Sequence, residues 1–149
     1  LILLDSTVIV GFLDADDALH EVTASRFREI VPAHPLVASA ISYAEVITGV
    51  SLGHHPQESV DGFFHSLVRE VLPADTPVAA RAGELRGRYP ALRMPDALIL
   101  ATADLNPDID TVLCGDRDWP KVKGLDCRVE LVKPAPPMRS KAPRTGKGR

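Results

Sequence analysis

The chain opens on an apolar run, Leu1-Ile2-Leu3-Leu4, that is closed at once by an acid, Asp5. An unbroken run of β-favouring apolar residues marks a strand buried on both faces, as strands of parallel sheets are. Open α/β sheets hold ligands at the carboxyl ends of their strands. Asp5 is therefore aimed at a ligand site, and the rest of the chain must supply helices to cover the sheet.

The pattern that follows does so. Val8 to Leu13 continues helically, and Asp16 or Asp17 can cap a second helix with Leu19, Val22, Phe27, Ile30 and Val31 on its apolar stripe. Leu36 to Ala40 reads as a short strand. Ser42 opens a helix holding Tyr43, Val46, Ile47 and Val50, ended by Gly53. Pro56 to Val68 is a fourth helix and Glu70 to Leu72 a strand. Asp75-Thr76-Pro77 is a cap with an early helical proline, starting a segment that runs to Tyr89. Pro95 starts the next helix in the same way, and Ala97 to Ala103 is apolar enough to be buried. Thr111 to Cys114 and Arg128 to Val132 close the pattern as strands. Strands alternating with helices predict an α/β sandwich around a central, mainly parallel sheet.

Size and composition fit one folded body. The chain has 149 residues, 45% of them hydrophobic, enough for an ordinary core. It contains no apolar stretch of membrane-spanning length and no cleavable signal pattern, so a cytoplasmic protein without membrane contact is expected. Cys114 and Cys127 lack metal-pair spacing and are expected to be structural thiols. Charge divides unevenly: of 17 basic residues, six lie from Lys133 onward with no acid among them, leaving 11 against 20 acids, or −9, before that point. Residues 1–132 are read as the folded domain and 133–149 as a disordered, basic, proline-rich tail.

Four acids besides the crowd of surface charge sit where strands end or helices begin: Asp5, Glu45, Asp96 and Asp116. Each has a structural explanation. Asp5 can cap a helix; Ser42-Tyr43-Ala44-Glu45 fits a capping box; Asp96, after Pro95, suits the positive end of a helix dipole; Asp116-Arg117-Asp118 fits a polar turn. These account for positions one at a time and not for their coincidence. Carboxylates gathered at one sheet edge repel each other unless a cation neutralises them. With oxygen ligands only, and no histidine at a matching strand end, that cation is expected to be Mg²⁺ or Mn²⁺. A divalent cation there would activate water and offset phosphate charge, which makes phosphodiester hydrolysis the natural chemistry.

At this point the chain resembles the PIN-domain ribonucleases, and within them the VapC-type toxins of toxin–antitoxin pairs. The resemblance rests on LLDSTVIV, SYAEVITG, LRMPDALILATA and VLCGDRDW, in the family's order and approximate spacing. It implies a PIN-like three-layer sandwich and an acidic quartet, Asp5, Glu45, Asp96 and Asp116, binding Mg²⁺ or Mn²⁺, with Asp118 as a fifth acid. Ser6 and Thr7 fall where relatives place supporting hydroxyl or amide side chains. Cys114 stands where Thr or Ser is common, which removes one polar supporting group. The resemblance further implies an RNA substrate, a homodimer and a small cognate antitoxin covering the acidic groove. Arg93, Arg117 and Lys121, close to the motifs, are candidate RNA-contacting residues at the rim.

The chemistry expected is in-line attack of water on phosphorus, giving 5'-phosphate and 3'-hydroxyl ends. Relief of repulsion predicts that Asp96→Asn stabilises the fold slightly. Two alternatives come from other classes. A haloacid-dehalogenase-like phosphatase shares the strand-end Asp and a Gly-Asp loop, but usually has a second Asp where this chain has Thr7. A catalytically silent PIN-like scaffold, binding RNA or protein, would normally lack one of the four acids. No Gly-rich phosphate loop is present. Phe27, Phe63 and Phe64 read as core or dimer contacts, and His54-His55 as a loop.

Overall fold

A computed structural model describes residues 1–134 and 136. Five strands, β1 (Ile2–Leu4), β2 (Leu36–Ser39), β3 (Val68–Leu72), β4 (Thr111–Cys114) and β5 (Arg128–Leu131), form one sheet in the order β3-β2-β1-β4-β5. Every pairing is parallel. Six α-helices connect them: α1 (Ser6–Leu13), α2 (His20–Ile30), α3 (Ala40–Ser51), α4 (Gln57–Ser66), α5 (Thr76–Arg88) and α6 (Met94–Asp104). A 3-10 turn, Trp119–Lys121, precedes β5.

The three layers follow from the two-residue period of a strand. In β1, Leu3 joins a core with Val78, Ala82 and Leu85 of α5 and Ile99 and Leu100 of α6. Its neighbours Ile2 and Leu4 face the other way, onto Val8 and Ile9 of α1, Phe27 of α2, Val46 of α3 and Phe63 of α4. Leu3 and Leu4 are fully buried, each contributing roughly 1.5–3 kcal/mol relative to exposure. This double burial is what an apolar run with no polar alternation requires. Phe27 and Phe63 are core residues, with ring centroids 6.3 Å apart.

Several boundaries differ from the sequence reading, each for a local reason. The helix carrying Glu45 starts at Ala40, capped by Ser39, whose extended backbone lets its Oγ accept from the Ser42 N–H at 3.0 Å. Strand β2 therefore runs straight into α3, Ala40 is not a strand residue, and Ser42 lies inside the first turn. Helix α2 starts at His20; Asp17 instead accepts from the Leu19 N–H at 2.7 Å in the preceding turn. Val31, just past that helix, is exposed. Helix α4 stops at Ser66 because β3 already begins at Val68. The expected stop at Gly53 is found: with φ +77, it lets its own N–H reach the Val50 carbonyl and the His54 N–H reach that of Gly49. The basic stretch from 133 lies, apart from 133, 134 and 136, outside the described residues. Among the described residues no helix is long and apolar enough to cross a membrane.

Candidate metal centre

The strand order reverses direction between β1 and β4, which makes the space beyond their carboxyl ends the topological switch point of the sheet. Asp5 stands there, its backbone N–H still donating to the Leu113 carbonyl at 2.9 Å. Asp116 follows β4 by two residues. Glu45 lies in the second turn of α3, which leaves the sheet from adjacent β2, and Asp96 in the first turn of α6, which leads into β4.

Asp5 occupies the N-cap of α1 but its side chain caps nothing. Only 2% exposed, it accepts from the Thr7 hydroxyl at 2.5 Å. Thr7 Oγ1 in turn accepts from the Gly115 N–H at 3.0 Å, so a relay joins the loop after β4 to the first acid. Gly115 is needed for that approach, since a Cβ there would lie 2.8 Å from Thr7 Oγ1. Burial pushes the Asp5 carboxyl up to about 6; the charges of Glu45 and Asp96 push the same way, while the Thr7 hydrogen bond opposes.

Glu45 makes no capping box. The helix start at Ala40 moves it beyond the first turn, and its Oε2 accepts from the Ser6 hydroxyl at 2.7 Å. Ser42, which was expected to open the helix, instead donates to the Leu4 carbonyl at 3.1 Å and so fastens α3 to the residue before Asp5. That contact is invisible in the sequence, because it joins residues 38 apart.

Asp96 is buried and bound at both oxygens by Arg93, with Nε to Oδ2 and Nη2 to Oδ1 each at 3.1 Å. Arg93 is itself exposed, and Glu45 and Asp116 add to the field that raises its pKa. Asp96 thus has its own counter-charge in Arg93, while its charge still bears on Asp5. Asp116 Oδ1 accepts from the Asp118 N–H at 2.7 Å, so the polar-turn explanation holds for that oxygen. Asp118 is exposed and paired with Lys121 at 2.5 Å. Arg93 and Lys121 thus both lie at the rim and both face acids; Arg117 is exposed and lines neither hollow described next. Cys114 is fully buried, its thiol pushed up to about 12 mainly by burial, and it faces the Asp116 carbonyl rather than the site's opening.

The acids border two separate hollows. Asp96, Asp116 and Asp118 border a cleft of about 340 Å³, and Glu45, Ser6, Thr7 and Gly115 border a shallower one. Among the described residues no three His, Cys, Asp or Glu side chains form a ready-made cation cage. The donor set nevertheless fits a hard cation in type and charge: it is all oxygen, and Asp5 is under pressure from two neighbouring carboxylates. Mg²⁺ keeps several waters and takes few protein oxygens directly, so it needs no closed cage.

Comparison with known proteins agrees with this architecture. The PIN domain family model matches residues 2–125, and the chain belongs to the PIN-domain family. The fold resembles FitAcB from Neisseria gonorrhoeae at 25% identity and TM-score 0.67, over 87% of this chain and 96% of that one. It also resembles VapBC2 from Rickettsia felis, bound to a DNA fragment from its promoter, at 16% identity and TM-score 0.71, over 89% and 98%. The Mycobacterium tuberculosis sarcin-ricin loop cleaving toxin VapC20 matches at 18% identity and TM-score 0.67, over 86% and 99%. Among curated proteins nothing matches the chain. Family membership sets aside the haloacid-dehalogenase-like alternative.

Proposed function

We propose that the chain is a metal-dependent endoribonuclease, the toxin of a toxin–antitoxin pair. The observation that carries the reading is Asp5, buried at the switch point of a PIN fold under the charge of Glu45 and Asp96, with Asp116 two residues beyond the adjacent strand. These four acids are the proposed ligands of Mg²⁺ or Mn²⁺, with Asp118 as a further acid at the edge. A bound cation would supply the positive charge that activates water and offsets charge on the phosphate. Ser6 and Thr7 hold Glu45 and Asp5 in place through their hydroxyls. Water attacks phosphorus, the bond to the 3'-oxygen breaks, and that oxygen takes a proton, leaving 5'-phosphate and 3'-hydroxyl ends without a covalent enzyme intermediate. Arg93, Arg117 and Lys121 are the proposed RNA contacts at the rim.

The similarity to chains of the FitAcB and VapBC2 structures supports a protein partner. We infer a small antitoxin whose arginine enters the acidic site, since a guanidinium matches a carboxylate in a bidentate pair; Arg93 on Asp96 displays that geometry within the chain itself. A homodimer and a cytoplasmic setting complete the proposal, with residues 1–132 as the nuclease domain. Sequencing RNA 5' ends in cells after brief induction tests it. The expected result is a recurrent cut bearing a 5'-phosphate, suppressed by the co-expressed antitoxin; no new 5'-phosphate ends above the uninduced background contradicts it.

A further inference from the structure

The cleft bordered by Asp96, Asp116 and Asp118 has a second character that a cation site does not need. Besides its acids it is lined by Tyr89, Ala91, Leu92, Trp119 and Val122, and by the exposed Arg93 and Lys121. Its volume of about 340 Å³ falls at the low end of small-molecule pockets, roughly 300–1,000 Å³. The wall is held from behind: Trp119 is only 1% exposed, and the Tyr89 hydroxyl accepts from the Lys123 N–H at 2.9 Å. The indole Nε1–H meets no acceptor among the described residues, leaving a donor within the wall.

A single RNA strand alternates charged phosphates with flat, apolar-faced bases, and proteins hold it by matching basic groups to the first and apolar or aromatic surface to the second. The cleft offers both within the reach of one nucleotide: acids that would hold a cation and its phosphate, two exposed cations paired with those acids, and apolar lining in the same hollow. We propose that this wall is a nucleobase subsite, taking the base of a nucleotide whose phosphate lies at the acids. The inference rests on the nuclease reading and adds to it where base selectivity would arise. Single-strand segments with a splayed base are the substrates such a wall accepts; a base locked in a duplex cannot enter.

Trp119 is the chain's sole tryptophan and lines the cleft, so its fluorescence reports occupancy without any cleavage. The full chain, with Mg²⁺, is titrated with adenosine 5'-monophosphate and, separately, with ribose 5-phosphate. The nucleotide should bind about tenfold tighter than the base-less sugar phosphate, the scale of one stacked base. Tyr89→Phe should keep that ratio and Tyr89→Leu should lose most of it; if the Leu variant fails to fold, the comparison on the wild-type chain decides alone. Equal affinity for the two probes overturns the subsite and leaves the nuclease reading standing. If neither probe binds, the subsite falls, and the nuclease reading stands or falls on its own cleavage test. A change in Trp119 emission with a basic amphipathic peptide but with neither sugar phosphate makes the cleft a protein-docking groove and also overturns the subsite.

Discussion

Asp5 is the residue most at odds with its surroundings, a buried carboxylate whose ionisation is opposed by desolvation and by two like charges. With its folded-state pKa raised from near 4 to about 6, the native state holds a proton that the unfolded chain has released. In protein freed of divalent cations, this group's contribution is full below about pH 4 and lost as pH rises through 6. The loss is of the order of 2–3 kcal/mol. Urea unfolding across that window should show the fall for the wild type and its absence in Asp5→Asn; parallel curves for the two contradict it. Arg93 is the second residue to test. It holds both oxygens of Asp96, so if Asp96 is a ligand as proposed, guanidinium and metal compete. Being an exposed cation, it should cost the metal only about two- to fivefold in affinity, and Arg93→Gln should bind Mn²⁺ tighter by that factor in a direct titration. Weaker Mn²⁺ binding by the variant would mean that Arg93 instead helps assemble the site.

At the scale of elements, the junction of β2 and α3 sets where Glu45 stands. Ser39 is fully buried, caps the helix through the Ser42 N–H and touches the Ser42 hydroxyl at 3.2 Å, while Ser42 reaches Leu4. Ser39→Ala should lower stability by about 1–2 kcal/mol in chemical denaturation and weaken Mn²⁺ binding by loosening α3 against β1; an unchanged midpoint contradicts that role. The same junction shows what a single sequence carries and what it hides. Apolar runs closed by an acid or a turn marked the three central strands, because burial on both faces leaves a strand no polar alternation; the edge strands β3 and β5 carry charged residues and showed only as short β-favouring segments between helices and turns. The four acids were conspicuous because each breaks such a run or opens a helix. The cap of α3 lies three residues before the one that the sequence suggests, since Ser39 and Ser42 are equally good caps and only the direct strand-to-helix passage favours the first. The Thr7–Gly115 relay, the Ser42–Leu4 tie and the Arg93–Asp96 pair had no signal of their own. The first two join residues 108 and 38 apart, and the third turns on a side-chain orientation that spacing alone does not fix.

Across the whole molecule, the division of charge matters more than the net of −3. A body at −9 repels RNA except where a cation or the rim residues intervene, and the six basic residues from 133 onward are its one concentrated positive stretch. Truncation after Val132 should leave cut position and metal affinity unchanged, because that stretch contains none of the acids. RNA affinity measured against salt should flatten by less than about six units of log-log slope; a moved cut site would give the stretch a part in choosing the substrate. The central claim is that the acids at the switch point form a cation-dependent nuclease centre, and cleavage by Asp96→Asn tests it most directly. The substitution keeps size while removing one charge and one of the two acceptors that face Arg93. Against a structured RNA with excess Mg²⁺, the wild type should cleave and should stop when a chelator is added, and Asp96→Asn should retain the fold by circular dichroism yet cleave at least about 100-fold more slowly. A folded Asp96→Asn that cleaves at the wild-type rate would contradict the account.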